Sequence, residues 1–190
     1  MATYDGALIK DVKDNIIISS ITIDRFVAFE IIEYYLEQPS CDVFAYFEPF
    51  YQMNHAISDS KNSFKMEYCE TSKKSLPDCQ RVRCRFFNNA SIVIKDYKSV
   101  RAYIENNDVV FENYIVNKGQ AVKNILKYYN ISSDDAIAIG DGDADISMFS
   151  ECQTKVAMMN AHQTVKEHAT FITTSNNQNG VGNALLRILG

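Results

Sequence analysis

The stretch that decides the fold is Ala136-Ile137-Ala138-Ile139-Gly140-Asp141-Gly142-Asp143-Ala144-Asp145. Its first four residues are apolar, as expected of a short strand that is covered on both faces of a parallel sheet. Three carboxylates follow at once, and the glycines between them let the backbone turn sharply. Ligands of parallel α/β sheets bind at the carboxyl ends of the strands. The stretch therefore predicts a buried strand with a ligand site at its carboxyl end.

The acidic turn predicts a site for a hard divalent cation such as Mg²⁺. Neighbouring carboxylates repel one another, a bound cation offsets the repulsion, and carboxylate oxygens are ligands that Mg²⁺ prefers. Asp141 leaves the strand directly and Asp145 follows in the next helix, so both can point into one crevice. The alternative is a turn that only caps this helix, because Asp favours helix N-termini. A calcium loop is disfavoured, since its sixth-position Gly and twelfth-position Glu are missing.

Two neighbouring motifs add groups that could bind a phosphate. Lys118-Gly119 opens the helix before the strand, and its amine could supply a fixed positive charge. Asn160 directly follows the next strand, and its amide could donate to a phosphate oxygen. Each has a plainer interpretation, Lys118 as a solvated surface lysine and Asn160 as a helix N-cap. Together with the acidic turn, they predict a pocket for a cation and a phosphoryl group.

The second half of the chain alternates between strands and helices. Predicted strands are 109–113, 136–139, 155–158 and 171–173, and predicted helices are 120–129, 143–149, 164–168 and 181–189. Such alternation implies parallel strands that are joined by right-handed crossovers.

The first half is mixed. Predicted strands are 7–9, 15–20, 43–47, 50–53, 81–87 and 90–94, with a tight turn at Asn88-Asn89, and predicted helices are 24–37 and 97–105. Thr22 or Asp24 can cap the first helix, and Pro39 stops it. Residues 58–80 are polar and give no clear pattern.

Composition limits the classes of function. The chain has 190 residues, 46% of them hydrophobic, so it can bury a core in one domain or two small ones. Its net charge of -5 does not indicate the basic surface that nucleic-acid binding requires. No apolar run reaches the roughly 18 residues of a membrane span, and the first ten residues lack a signal-peptide pattern. We therefore expect a cytoplasmic protein without a nucleic-acid or membrane partner.

The motifs occur in a familiar order. They are Asn117-Lys118-Gly119, Gly140-Asp141-x-x-x-Asp145-x-x-Met148, Val156-Ala157-Met158-Met159-Asn160-Ala161, Val165-Lys166 and Gly180-Val181. This order and spacing resemble the C-terminal part of the Cof-type branch of the haloacid dehalogenase (HAD) superfamily. The resemblance implies an α/β fold, with a partial HAD-type, Rossmann-like parallel sheet and an α/β (C2-type) cap domain. It implies an opening core segment at 1–19, a substrate-selecting cap at 20–107 and the C-terminal half of the core at 108–190.

The resemblance also implies an activity and a cofactor, the Mg²⁺-dependent hydrolysis of small phosphorylated metabolites. Asp141 would be a metal ligand, and Asp145 a ligand or a partner of the ligands. The residues implied to act on the phosphate or its loop are Lys118, as the catalytic lysine, and Asn160, Gly140 and Gly142. The family usually has Asn at the position of Ala144 and tends to have Gly at that of Met159. The first difference removes a polar group near the metal.

The nucleophile of the family has no counterpart in the sequence. These enzymes attack phosphorus with the first aspartate of a D-x-D-G-T motif, which the chain lacks. Thr3-Tyr4-Asp5-Gly6-Ala7 is the nearest match, but it puts Thr3 at the nucleophile, and the stretch from Asp5 better resembles the residues before the cap. We therefore expect a truncated chain with little or no activity by itself.

The missing segment has a structural consequence. In the family, strand 136–139 pairs with the strand of the nucleophile, so here it becomes a sheet edge, which is a hazard for aggregation. We expect a second copy, as in a homodimer, a partner chain or a local rearrangement to cover it. Two functions compete: a phosphatase completed by residues from elsewhere, and a non-catalytic remnant that binds a metal, a phosphate metabolite or a protein.

Overall fold

The structure is a computed structural model that describes residues 1–38, 40–47, 51–54, 78–87 and 91–190. The chain divides into two compact units, one of Met1–Ser19 with Asn117–Gly190 and the other of Ser20–Val116. The stretch 58–77 and the turn predicted at Asn88-Asn89 lie outside the described residues. No helix of the described part is both long and apolar enough to cross a membrane.

The elements follow in this order. The strands are β1 (Ala2–Thr3), β2 (Leu8–Asp11), β3 (Ile16–Ser20), β4 (Cys41–Phe47), β5 (Tyr51–Asn54), β6 (Cys79–Phe86), β7 (Val100–Glu105), β8 (Asp108–Asn113), β9 (Ile137–Gly140), β10 (Thr154–Ala157) and β11 (Phe171–Ile172). The helices are α1 (Arg25–Leu36), α2 (Lys118–Tyr129), α3 (Ile146–Phe149), α4 (Gln163–Glu167) and α5 (Gly180–Leu189).

The unit Ser20–Val116 contains an antiparallel sheet in the order β5-β4-β6-β8-β7. Asp24 caps the N-terminus of α1, because its side chain accepts hydrogen bonds from the N–H groups of Phe26 and Val27. The helix and the sheet share one core, with these buried apolar side chains: Ala28, Ile31, Ile32, Tyr35, Val43, Val82, Cys84, Val109 and Phe111. The predicted helix 24–37 and its Asp24 cap are confirmed.

Charged residues alternate with these apolar ones along the sheet. Glu112 is fully buried and pairs with Arg81, whose Nη2 lies 2.6 Å from Glu112 Oε2, and also with Arg101. Asp108 accepts hydrogen bonds from Arg85 at 3.1 Å. A shift of one residue in β6 would exchange the core residues Val82, Cys84 and Phe86 with the arginines between them, so the alternation along β6 fixes its register.

The other unit contains a parallel sheet in the order β11-β10-β9, which confirms parallel pairing for the last three predicted strands. Its core consists of small and apolar side chains, namely Ala138, Phe149, Cys152, Ala157, Met158, Ala161 and Val165. Within the described residues, β9 pairs only with β10, so β9 is an edge strand. The register sets Gly140 beside Ala157, which brings the loops after both strands to one edge.

A left-handed turn links β1 to β2 and packs against α2. Tyr4 and Asp5 both have φ of 53°, and Gly6 has φ of 101°. A Cβ atom on Gly6 would lie 2.5 Å from the Cβ of Ala121, so only glycine permits this close approach. The turn therefore places Asp5 beside the first turn of α2.

Two predictions in the first half are wrong. Residues 97–105 contain strand β7 and not a helix, and residues 91–94 form no strand. Asn106 and Asn107 have φ of 50° and 68°, so they make the tight turn of a β7–β8 hairpin. The segment at 93–95 is bound to α1 instead, because the Tyr35 hydroxyl donates to the carbonyl of Val93 at 2.7 Å and accepts from the N–H of Lys95 at 3.1 Å.

The assignment of strand 109–113 to the parallel sheet is also wrong. Strand β8 pairs antiparallel with β6 and β7. The boundary expected between 107 and 108 falls inside the β7–β8 hairpin, whereas the two units divide after Val116. The hairpin explains the difference, since its two-residue turn keeps β8 in the sheet of β7.

Candidate metal and phosphate site

The site lies at the carboxyl ends of β9 and β10. The two loops that leave these strands run side by side, and the N–H of Met158 donates to the carbonyl of Gly140 at 3.0 Å. The N–H of His162 donates to the carbonyl of Asp141 at 3.2 Å. These backbone contacts bring the acidic turn and the loop with Asn160 to the same edge of the sheet, as the sequence pattern predicts.

Asp145 is buried, and both of its carboxylate oxygens are engaged. Oδ1 accepts from the amine of Lys118 at 2.6 Å, and Oδ2 accepts from the N–H groups of Asp141 and Gly142 at 3.0 and 3.1 Å. Burial favours the neutral acid, but these hydrogen bonds outweigh it and lower the pKa of Asp145. The side chain therefore closes the acidic turn on itself and on α2.

Gly140 and Gly142, the two glycines predicted to contact the phosphate, both help to position the side chain of Asp145. A Cβ atom on Gly140 would lie 2.5 Å from the Cβ and 2.7 Å from Oδ2 of Asp145, so the absent side chain makes room for this carboxylate. Gly142 contributes its backbone N–H. A role of Gly140 and Gly142 in phosphate binding stays a prediction.

Lys118 is the first residue of α2, and two contacts fix its position. Asn117 caps the helix, because its side chain accepts from the N–H of Gln120 at 2.8 Å. The N–H of Gly119 donates to Ser147 Oγ at 3.0 Å, and a Cβ atom on Gly119 would lie 2.3 Å from the carbonyl oxygen of Ser147. The N-terminus of α2 thus packs directly on α3.

The amine of Lys118 is held in its charged form. Burial favours the neutral amine, but the hydrogen bond and negative charge of Asp145 outweigh it and raise the pKa of Lys118. The negative charges of Asp5 and Asp141 act in the same direction. The amine is therefore a fixed positive charge within electrostatic reach of three carboxylates.

The third carboxylate of the turn, Asp143, is directed to α4. Thr164 Oγ1 donates to Asp143 Oδ1, and His162 Nδ1 lies 3.3 Å from Asp143 Oδ2. These hydrogen bonds from Thr164 and His162 lower the pKa of Asp143. Asp143 is therefore bound to side chains at the start of α4.

Asp141 is the carboxylate that could bind a cation. Its Oδ2 accepts from Asn160 Nδ2 at 3.0 Å, and its Oδ1 has no hydrogen-bond partner among the described residues. The part of the chain that the structure describes contains no group of three or more His, Cys, Asp or Glu side chains that could hold a metal. Mg²⁺ is commonly held by one or two carboxylates together with waters and substrate phosphate, so a single ligand at Asp141 fits this ion.

The structure thus brings Lys118 to Asp145 and Asn160 to Asp141, but within the described residues it does not gather Asp141, Asp143 and Asp145 into one metal-binding group. Sequence reasoning missed four residues that hold these side chains and loops in place: His162 and Thr164 bind Asp143, Ser147 accepts from the N–H of Gly119, and Asn176 donates to Asn160. Thr164 is the first residue of the predicted helix 164–168, and hydroxyl side chains are frequent at helix N-termini. Its position could therefore have indicated a capping contact. The others form contacts between distant segments and carry no local signal.

Comparison with known proteins identifies sequences that are similar to this chain. The sequence model of the haloacid dehalogenase-like hydrolases matches residues 1–185. Over 64 residues, 34% of the chain, the sequence is 44% identical to the 5-amino-6-(5-phospho-D-ribitylamino)uracil phosphatase YwtE of Bacillus subtilis. Over 98 residues, 52% of the chain, it is 37% identical to a phosphoglycolate phosphatase of Nitrosopumilus maritimus. The matched stretches span only 22% and 39% of these two relatives.

The fold is also that of a solved structure. A crystal structure of a haloacid dehalogenase-like hydrolase from Bacteroides thetaiotaomicron superposes with a TM-score of 0.76 at 18% identity, covering 97% of this chain and 74% of that one. This likeness confirms the predicted fold class, an α/β protein with a Rossmann-like parallel core sheet and a cap domain.

Proposed function

Because the chain belongs to the haloacid dehalogenase-like hydrolase family, we propose that it forms the Mg²⁺- and phosphate-binding half of a phosphatase for small phosphorylated metabolites. The observation that carries the proposal is the ion pair of 2.6 Å between Lys118 and Asp145 at the strand end that also carries Asp141. The names of the two relatives, both phosphatases of small metabolites, support the substrate class.

Each residue has a distinct role in this proposal. Asp141 Oδ1 would ligate Mg²⁺, which when bound supplies Lewis-acid stabilisation of phosphoryl charge. The amine of Lys118 has three N–H donors and gives one to Asp145, so it keeps donors for a phosphate oxygen. The second N–H of the Asn160 amide is available in the same way. Asp145 would hold Lys118 in place without binding the cation.

We infer that the attacking group is not among the residues that form this site. The 190 residues contain no D-x-D-G-T sequence, and Asp145 and Asp143 are engaged in hydrogen bonds. Phosphoryl transfer in this family passes through an aspartyl nucleophile. We therefore propose that turnover needs a carboxylate from polypeptide beyond these residues, and that the chain by itself binds the cation with little or no hydrolysis.

The absence of that motif also favours a second candidate, a non-catalytic remnant that keeps the metal and phosphate site for binding. The two candidates differ in what restores activity. A longer polypeptide that supplies an in-frame D-x-D-G-T segment would turn over in the first case and not in the second.

Hydrolysis of an aryl phosphate and binding of Mg²⁺ test the proposal together. We expect the 190-residue chain to bind Mg²⁺ in a calorimetric titration and to hydrolyse the aryl phosphate weakly or not at all. Asp141→Asn should abolish Mg²⁺ binding, whereas Asp134→Asn, a change of an exposed acid in the turn before β9, should not. Robust hydrolysis lost in Asp141→Asn would show that a nucleophile exists within the chain. Equal Mg²⁺ binding by both variants would refute the metal site.

A further inference from the structure

Asn160 lies between the candidate metal ligand and a separate loop. Its Nδ2 donates to Asp141 Oδ2 at 3.0 Å, and its Oδ1 accepts from the backbone N–H of Asn176 at 3.0 Å. A carboxylate only accepts and a backbone N–H only donates, so these two neighbours leave one orientation for the amide. The Asn176 N–H therefore determines that the donor end of Asn160 faces Asp141.

The loop that supplies this N–H is rigidly bonded. It runs from Thr174 to Gly180, and the N–H groups of Gln178 and Gly180 both donate to the carbonyl of Ser175 at 3.0 Å. Asn183, in α5, donates from Nδ2 to Thr174 Oγ1 at 2.8 Å and to the carbonyl of Gln178 at 3.0 Å. Helix α5 thus holds the loop, and the loop holds Asn160.

The fit of the loop against the sheet is tight. A Cβ atom on Gly180 would lie 2.1 Å from the carbonyl oxygen of Thr174, and the buried Thr173 hydroxyl donates to the carbonyl of Gly180 at 2.8 Å. The N–H of Met159 donates to the carbonyl of Thr174 at 3.4 Å, which joins the loop to the residue before Asn160. The position of the Asn176 N–H is therefore set by several elements at once.

We propose that Asn160 is a positioning residue for the cation site: oriented by the backbone N–H of Asn176, it holds the Asp141 carboxylate so that Oδ1 faces the cation. This inference rests on the proposed function for the cation itself. Hydrogen bonds that orient a metal ligand typically change metal affinity by about 10- to 100-fold when they are lost. The loop at 174–180 would therefore influence cation binding without touching the cation.

One substitution removes the orienting hydrogen bond selectively. Asn176 is the first residue of a short 3₁₀ helix, and Ser175 before it is extended with ψ of 167°. Proline is tolerated at such a first position after an extended residue, and it lacks the N–H. Asn176→Pro therefore deletes the donor to Asn160. Asn176→Ala is the matched control, because both variants lose the Asn176 side chain but only alanine keeps the N–H.

Two measurements on the full chain test the proposal. The first is the affinity for Mn²⁺, an ion that carboxylate ligands bind well. It is measured from the electron paramagnetic resonance signal of the free ion. We expect Asn176→Pro to bind Mn²⁺ about tenfold more weakly than Asn176→Ala, which should match the native chain. The second is the NMR signal of the Asn160 side-chain amide, which should shift and exchange faster with water in Asn176→Pro alone.

The outcomes separate this inference from the proposed function. Equal Mn²⁺ affinity of the two variants would overturn the positioning role, and so would an unchanged Asn160 amide signal in Asn176→Pro. If the native chain binds no Mn²⁺, the cation site of the proposed function fails, and the positioning role toward it fails too. In that case a shifted Asn160 signal would still show that the Asn176 N–H orients the amide.

Discussion

The ion pair between Lys118 and Asp145 is the residue-scale contact on which the site depends. Lys118→Met would leave Asp145, which is 6% exposed, without the ammonium group that balances its negative charge. Breaking a buried pair costs about 3–5 kcal/mol, and partial exposure of the lysine reduces this, so we expect a loss of about 2 kcal/mol in the free energy of unfolding. Urea unfolding measures it. Lys123→Met, which changes an exposed lysine of the same helix, is the control and should cost under about 0.5 kcal/mol.

The same pair makes a prediction for pH. The pKa of Asp145 is lower in the folded chain than its ordinary value of 3.8. Its ionised form therefore stabilises the fold above that ordinary value, and the stabilisation is lost as the pH falls through the lowered pKa. We expect the difference in urea midpoint between the native chain and Lys118→Met to be large at neutral pH and to shrink below about pH 4. A difference that is constant across this range would contradict the assignment.

Gly140 and Gly142 provide a second test at this scale. Gly140→Ala places a methyl group 2.5 Å from the Cβ of Asp145, and such overpacking typically costs about 1–3 kcal/mol. Gly142→Ala meets nothing closer than Asp145 Oδ2 at 3.9 Å, so it should be tolerated. Thermal unfolding of the two variants should therefore differ, with Gly140→Ala the less stable. The reverse order would show that Asp145 does not occupy this space.

The sequence predicts which residues meet at the site, but not the role of each. Asp141, Lys118 and Asn160 follow strand ends or open a helix, and such positions converge in any parallel sheet. The proposed role of Asp145, which is to hold Lys118 in place, could not be predicted in the same way. It depends on the N–H groups of Asp141 and Gly142 and on the amine that reach its oxygens first, and these contacts exist only in the folded turn.

At the scale of elements, the β7–β8 hairpin depends on the turn at Asn106 and Asn107. Both residues have positive φ, which glycine and asparagine tolerate and β-branched residues do not. We expect Asn107→Gly to unfold at the same temperature as the native chain or higher. Asn107→Val should cost about 1–2 kcal/mol. Equal stability of the two variants would mean that this turn is not left-handed in solution.

The same hairpin explains the errors made from the sequence. The apolar residues of 97–105 fit a helix period as well as a strand period, and the choice depends on pairing with β8. The sequence pattern predicts a turn at Asn88-Asn89 but not at Asn106-Asn107, where the structure has one. By contrast, α1 and α2 have caps and an apolar face of their own, so local signals were sufficient to predict both helices.

At the scale of the whole molecule, the outer side of β9, which no described strand pairs with, predicts that the chain associates in solution. Parallel strands are normally covered on both sides, and an unpaired edge of such a strand is a template for another chain. Within the described residues, the backbone groups on the outer side of Ile137–Gly140 pair with no other strand. Without a partner protein, a second copy is the available cover.

We therefore expect sedimentation velocity of the native chain to show dimers or larger species that increase with concentration. Ile137 is partly buried on β9, and lysine on an edge strand opposes strand pairing, so Ile137→Lys should shift the chain toward monomer. Phe26→Lys is the control: it makes the same change of charge at a side chain that is 53% exposed on α1, and it should leave the association unchanged. A native chain that stays monomeric at the highest concentration would show that its own fold protects the edge. Dissociation by both substitutions would instead attribute the association to net charge, and the edge of β9 would lose its role.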